Sequence, residues 1–385
     1  MTSRQRLITT LDGGKADRLP VTTHHIMPYF LDKYMDGISN KEFFDFFNMD
    51  AITWPVPVQA DTMRGEYLDP SQGEPGFLQV SRVLSDNWRI ESEEIADPRY
   101  KTTRYTITTP GGQMSCVIQG NDYTEWVGEA LLKKKTDIEL IANYGTRPLC
   151  NTGKVQEAVH EMGDRGIVRG FILPFDIFGQ PDCWQDGCCI RGAENLIMDS
   201  FDDPVWVHEL MQVLLERKMP YVKSMKGSGY DLMELGGGDA STTVISPTIF
   251  NEFVAPYGKQ LIDEAHKAGI RVSYHVCGGM MPILEDLTAM GPDALETFTP
   301  PEMGADVDLA EAKRRIGDKV CMIGGFNQAH YLQGCTEKAT RDYVRKCFDE
   351  AGAGGGYILA PSDHFFDADI NLLKALADEA AKCLY

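Results

Sequence analysis

Two patterns of apolar and polar positions divide this chain. From Arg147 to the C-terminus, stretches with apolar residues at helical spacing alternate with short apolar runs, each ending in a loop rich in glycine or polar residues. The runs at 167–173, 231–235, 271–274, 294–297, 320–324 and 356–360 predict strands. The stretches at 204–223, 247–268, 281–290, 308–316 and 336–351 predict helices. Asp203-Pro204 and Ser246-Pro247 open two of these with a cap residue followed by proline at the first helical position. Two further strands come earlier. A helix over 3–11 stops at Gly13-Gly14, and Asp17-Arg18-Leu19-Pro20-Val21-Thr22-Thr23 then leads into a strand that delivers His24 and His25. Helical stretches at 29–34 and 40–47 precede Ala51-Ile52-Thr53-Trp54, a second short strand closed by Pro55. Residues 76–118 obey a different rule. Polar and apolar positions alternate there, as in Tyr105-Thr106-Ile107-Thr108-Thr109, with Pro110-Gly111-Gly112 as a turn, so antiparallel hairpins are expected, too short and polar to build much core.

Eight strand–helix units in 385 residues predict an α/β chain forming a single (β/α)8 TIM barrel over 1–385, with the hairpins as a β-rich insertion at about 76–118. The competitor, a doubly wound sheet, lacks support because no Gly-x-Gly-x-x-Gly follows the first strand. In a barrel, chemistry belongs at the C-terminal ends of the strands.

Charge narrows the partners. A formal net charge of −20 argues against nucleic acid or an anionic membrane, which need lysine and arginine facing phosphates. No run approaches the roughly 20 apolar residues of a membrane helix, and the N-terminus lacks a signal-peptide core, so a cytoplasmic location is expected. Ten cysteines without a compact framework spacing read as reduced thiols.

The chemistry-bearing residues gather at the predicted strand ends. Tyr274-His275-Val276-Cys277-Gly278-Gly279 puts an imidazole and a thiol two positions apart, facing one way where a strand runs out. Alone, that pair reads more readily as a core histidine beside a buried cysteine. It has company: Glu296 ends the next strand, and Asp363 and His364 follow the last. Imidazole, thiolate and carboxylate from several strands describe a catalytic zinc site better than a structural one, which is richer in cysteine and closed. His24, His25, Glu234 and Asp239 add acid–base candidates at other ends, with Glu234, Asp239 and His25 as the catalytic choices. Trp54, Phe175, Phe178 and Asn327, with His24, are the candidates for binding a substrate. Gly236-Gly237-Gly238-Asp239 lacks the Gly-Lys-Ser/Thr ending of a phosphate loop and reads as a loop of close backbone approach.

Several of these motifs together carry a resemblance. Asp17-Arg18-Leu19-Pro20-Val21, Ser246-Pro247, Pro256-Tyr257, His275-Val276-Cys277-Gly278, Ile283-Leu284-Glu285-Asp286-Leu287, Gly324-Gly325-Phe326-Asn327 and Gly354-Gly355-Gly356-Tyr357-Ile358-Leu359 resemble the uroporphyrinogen decarboxylase superfamily. That superfamily implies a (β/α)8 barrel and two branches, metal-free porphyrinogen decarboxylases and zinc methyltransferases that serve corrinoid proteins. Where the decarboxylase branch carries arginines after the first strand, this chain reads Thr23-His24-His25-Ile26-Met27-Pro28-Tyr29. The methyltransferase branch implies zinc on His275 and Cys277, with Glu296 as a further ligand, and a late cysteine. Here Ala360-Pro361-Ser362-Asp363 stands at that late position, leaving Asp363, His364 or water as the fourth ligand.

The resemblance therefore implies a zinc-dependent methyltransferase that takes a methyl group from a methyl ether, with a methoxylated aromatic as the small substrate, and gives it to a corrinoid (cobalamin) held by a corrinoid-binding partner protein. Methyl transfer from the corrinoid to a thiol, a decarboxylase, and a non-catalytic barrel that binds the corrinoid partner are the alternatives. A homodimer is compatible with the sequence.

Overall fold

The computed structural model describes residues 1–73, 75 and 79–385. Seven parallel strands follow one another in chain order: Ala51–Thr53, Gly166–Phe171, Leu232–Gly236, Arg271–His275, Ala294–Thr297, Cys321–Phe326 and Tyr357–Pro361. Val21 supplies the eighth. It bridges Leu359 in parallel, with the Thr22 N–H donating to the Leu359 carbonyl at 3.0 Å, and on its other side it exchanges hydrogen bonds with Asp50. The ring is thus the predicted barrel, in which Val21 marks the first strand and Tyr357–Pro361 the eighth. Every predicted strand lies within a residue or two of its expected place.

One device recurs at the N-terminal end of the barrel. Asp50, Asp231 and Asp293 stand immediately before the second, fourth and sixth strands, and each grips a valine of the strand before it. Their backbone N–H groups donate to the carbonyls of Val21, Val168 and Val272 at 2.8, 2.9 and 2.9 Å. Their carboxylates accept the N–H groups of the same valines at 3.0, 3.0 and 2.8 Å. A backbone donor at a strand start has lost its ladder partner, and the carboxylate replaces it. Arginines then neutralise two of the three: Arg6 and Arg18 reach Asp50, and Arg4 holds Asp231 with both terminal nitrogens.

Helices cover the outside of the ring, and their caps follow the sequence. Asp203 accepts the Trp206 N–H and Ser246 that of Ile249, each ahead of a proline at the first position. The helix expected at 247–268 is interrupted, however. Pro247–Ile249 runs into one π turn, Phe250–Val254, before Ala255–Lys267. Pro256 has no N–H for the carbonyl four residues back, so the helix widens just ahead of it.

The hairpins form an antiparallel four-stranded sheet of Arg89–Ile95, Lys101–Thr109, Gly112–Gly120 and Glu125–Glu129. The sheet extends past residue 118, whereas the expected start at 76–78 lies outside the described residues. It also holds more core than its polarity implied. Alternation points Ile90, Ile107, Met114, Cys116 and Ile118 to buried positions, and Trp88 is fully covered. The Trp88 indole donates to Asp176 at 3.0 Å, tying the insertion to the loop after the third barrel strand. Among the described residues, no helix is long and apolar enough to cross a membrane.

Candidate active site

Strand register brings the candidate residues to one level. Gly236 pairs with His275, and His275 with Glu296, across the fourth, fifth and sixth strands. Gly236 has to be glycine: its φ is +104°, and a Cβ there would lie 2.3 Å from the His275 carbonyl oxygen. A Cβ on Gly238 would lie 2.9 Å from the Cys277 sulfur, so the glycine run is the loop of close approach that its composition predicted.

At the centre of this level sits Arg169, pointing inward from the third strand with its side chain only 2 % exposed. Its Nη2 donates to Glu234 Oε2 at 2.8 Å and makes a short contact with Glu296 Oε1. Its guanidinium carbon lies 4.1 Å from the Trp54 ring centroid. Two histidines complete the layer. His24 Nε2 is 3.1 Å from Glu234 Oε2, and His275 Nδ1 is 3.2 Å from Glu296 Oε1. Carboxylates of this kind accept, so each imidazole presents its other nitrogen elsewhere.

Charge explains the protonation states. Burial, the largest influence on Glu296, would raise its pKa, but the Arg169 charge and the His275 hydrogen bond outweigh it and hold the group well below the usual carboxylate range. Glu234 is lowered in the same way, with burial opposed by His24 and Arg169. Burial would also lower His275, yet the Cys277 sulfur and the carboxylates raise it well above the ordinary value. Burial, reinforced by Arg169 and the neighbouring imidazoles, drives His25 well below it, so this ring is neutral at pH 7. Asp239 is pushed up by burial.

Above the layer, side chains converge on two further groupings. His275, Cys277 and Asp363 place one ligand atom each within 4.8 Å of one another, as do His24, Asp363 and His364. His24, Glu234, His275 and Glu296 satisfy the same distance test, but the Arg169 guanidinium already contacts both of its carboxylates. A cavity of about 690 Å³ opens over these groups, a size suited to a small molecule.

The barrel and the insertion share its walls. His24, His25, Glu234, Asp239, His275, Cys277, Asp363, Phe175 and Phe178 reach it from the strand ends, and Tyr105, Ile118 and Tyr123 from the insertion. Glu296 and Trp54 belong to the layer around Arg169 and are not among the described lining residues. Asn327 stands apart, for its Oδ1 accepts the His330 N–H at 3.0 Å and caps a short helix.

Sequence reasoning passed over Arg169, although an arginine inside the apolar run Gly166-Ile167-Val168-Arg169-Gly170-Phe171 was the signal for it. It also missed Tyr105 and Arg82, whose place in the cavity depends on how the insertion folds back. Among the described lining residues Arg82 is the one arginine or lysine, and it lies 3.0 Å from Asp69.

A barrel with convergent imidazole, thiol and carboxylate groups beneath a cavity at the C-terminal strand ends defines a (β/α)8 enzyme-type site. The uroporphyrinogen decarboxylase (URO-D) sequence profile matches residues 185–382, more than half of the chain, and the chain belongs to that family. Uroporphyrinogen decarboxylase of Hordeum vulgare is 28% identical over 193 residues, 48% of this chain and 54% of that one. Uroporphyrinogen decarboxylase 2, chloroplastic, of Oryza sativa is 26% identical over 171 residues, 43% of this chain and 40% of that one. The match thus spans about half the length of these relatives. The fold is shared from end to end with a methyltransferase from Methanosarcina mazei: TM-score 0.58, 14% identity, 99% of both chains covered.

Proposed function

We propose that this chain is a zinc-dependent methyltransferase of the family, moving a methyl group from a methyl ether, with a methoxylated aromatic as substrate, to the cobalt of a corrinoid on a partner protein. The observation that carries the reading is the donor set. One thiol, Cys277, meets one imidazole, His275, and one carboxylate, Asp363, beneath the cavity. These residue types and separations suit zinc with a position left open. When bound there, zinc would supply a Lewis acid that draws charge from an ether oxygen, more strongly with one thiolate than with two.

The chain's own residues do the rest. Glu296 takes an orienting role in place of the ligand role that the resemblance implied: it accepts from His275 Nδ1 and so leaves Nε2 for the ion. Arg169 keeps Glu296 ionised in that role. Phe175, Phe178 and Tyr105 offer faces for a flat ring. A corrinoid cobalt on the partner would supply the nucleophile that accepts the methyl group, and the ether oxygen would keep the bonding pair. Asp239, raised by burial, is the proton source for that oxygen. The curated relatives are named decarboxylases, yet a polycarboxylate here would meet Asp122, Glu125, Asp176, Glu234, Asp239 and Asp363, with Arg82 as the one arginine among the described lining residues.

The test follows methyl transfer from a methoxylated benzene to a cobalt(I) corrinoid by visible absorbance. Wild type should turn over, Cys277→Ser should lose the ion held through sulfur together with activity, and Asp363→Cys should keep that ion but demethylate ethers more slowly. Transfer to thiols only, or carbon dioxide release from uroporphyrinogen, would overturn the reading.

A further inference from the structure

We infer that His24, Asp363 and His364 form a second cation site, selective for a divalent transition ion that accepts imidazole and carboxylate, beside the His275–Cys277 site and sharing Asp363 with it as a bridge. The inference starts from His24. Its Nε2 faces Glu234 Oε2 at 3.1 Å, and a carboxylate held by Arg169 only accepts, so Nε2 is the donor of that pair and Nδ1 is the nitrogen left for a ligand role. That Nδ1 is buried, with the side chain 9% exposed, and has no hydrogen-bond partner among the described residues. What it faces is Asp363 Oδ1, 3.7 Å away. A buried ring nitrogen and a carboxylate oxygen 3.7 Å apart are too distant for a hydrogen bond, and a cation coordinated by both would satisfy the nitrogen.

The third group supports this. His364 Nδ1 lies 2.9 Å from the same Asp363 Oδ1, so one oxygen is flanked by two imidazole nitrogens at 2.9 and 3.7 Å. These distances bracket the edge of about 3.4 Å that a tetrahedron with metal–ligand bonds of about 2.05 Å requires. Glu234 on the far nitrogen of His24, itself fixed by Arg169, provides the carboxylate support that metal-bound histidines show. Asp363 and His364 are each partly exposed and both line the cavity, which leaves the ion an open side toward a substrate. Without sulfur, this site discriminates by ligand type from the one holding Cys277.

The alternative is an imidazolium at His24 pairing with both carboxylates, which needs no ion. Metal-free, tag-free protein is titrated with Zn²⁺ and, separately, Co²⁺, with bound metal and the sulfur-to-cobalt absorption recorded together. We expect about two ions per chain in wild type, only one of them adding the sulfur band; His364→Ala should fall to about one and keep the band, and Cys277→Ser should fall to about one and lose it. Wild type saturating at about one ion with the sulfur band overturns the second site. So does retention of both ions by His364→Ala. One ion without the band, lost in His364→Ala, instead supports this site while overturning the zinc assignment at Cys277. Because His364 is partly exposed, its replacement leaves the core intact, which near-ultraviolet dichroism checks.

Discussion

The barrel carries buried charge at both ends and uses it differently. At the N-terminal end, Arg6 spreads its donors over Asp17, Asp50 and the Met1 carbonyl, and Asp50 answers Arg6, Arg18 and the Val21 N–H. No buried side-chain nitrogen or oxygen of that cluster lacks a hydrogen bond among the described residues. At the C-terminal end, Arg169 Nε and His24 Nδ1 are buried without a hydrogen bond, and a cavity stands above them. A closed network holds strands together, whereas an incomplete one costs stability and is retained where something else completes it.

The strongest way to probe this difference is to remove the centre of each cluster. Asp50→Ala strands two arginines in the closed end, so unfolding free energy should fall by about 3–5 kcal/mol, and zinc should restore none of it. Arg169→Met leaves Glu234 and Glu296 buried without their cation. The metal-free variant should lose about 3 kcal/mol, and here saturating zinc should recover part of the loss. Urea denaturation with and without zinc reads both, and equal recovery in the two variants would erase the contrast.

Titration sharpens it next. At the closed end, the Arg6 hydrogen bond holds Asp17 well below the carboxylate range, so its contribution is present at neutral pH and is lost as acid protonates it. At the open end, burial raises Asp182 from 3.8 to about 6. A carboxyl raised on folding favours the folded state below its unfolded pKa and loses that advantage as pH climbs through its folded pKa. Wild type should therefore lose stability relative to Asp182→Asn, on the order of 2 kcal/mol, as pH rises from about 4 to beyond about 6. Parallel pH curves for the two proteins would remove Asp182 from the account. The smallest effect is expected at Gly238. Gly238→Ala crowds the Cys277 sulfur, and should lower zinc affinity about tenfold while changing stability by less than about 1 kcal/mol.

Much of this was legible in the sequence. Barrel strands showed as apolar runs because both of their faces are covered, and His275, Cys277 and Asp363 were placed because they sit where those runs end. Arg169 was not, since a charge within a strand declares its role only when the acids 65 and 127 residues away are known to face it. The reach of the insertion to Glu129 and the capping role of Asn327 were hidden for a related reason. Both depend on partners that local pattern does not specify, a packed sheet face in one case and a helix four residues long in the other. The helix break before Pro256 was readable from the proline but calls for tertiary packing to tolerate it.

The aspartate–valine latches have a consequence at the other end of the barrel. His24 lies three residues beyond Val21 and His275 three beyond Val272; Glu234 lies three beyond Asp231 and Glu296 three beyond Asp293. Each imidazole and carboxylate of the layer around Arg169 is thus one fixed stride of about 10 Å from a latch residue. The latches act as a common datum line from which four strands are measured off, so the height at which these imidazoles and carboxylates meet is decided at the far end of the molecule. A strand that slipped past its latch by a single residue would carry its ligand about 3.3 Å out of plane and turn it to the opposite face. Alignment of the chemistry is, in that sense, a property of residues that never approach it.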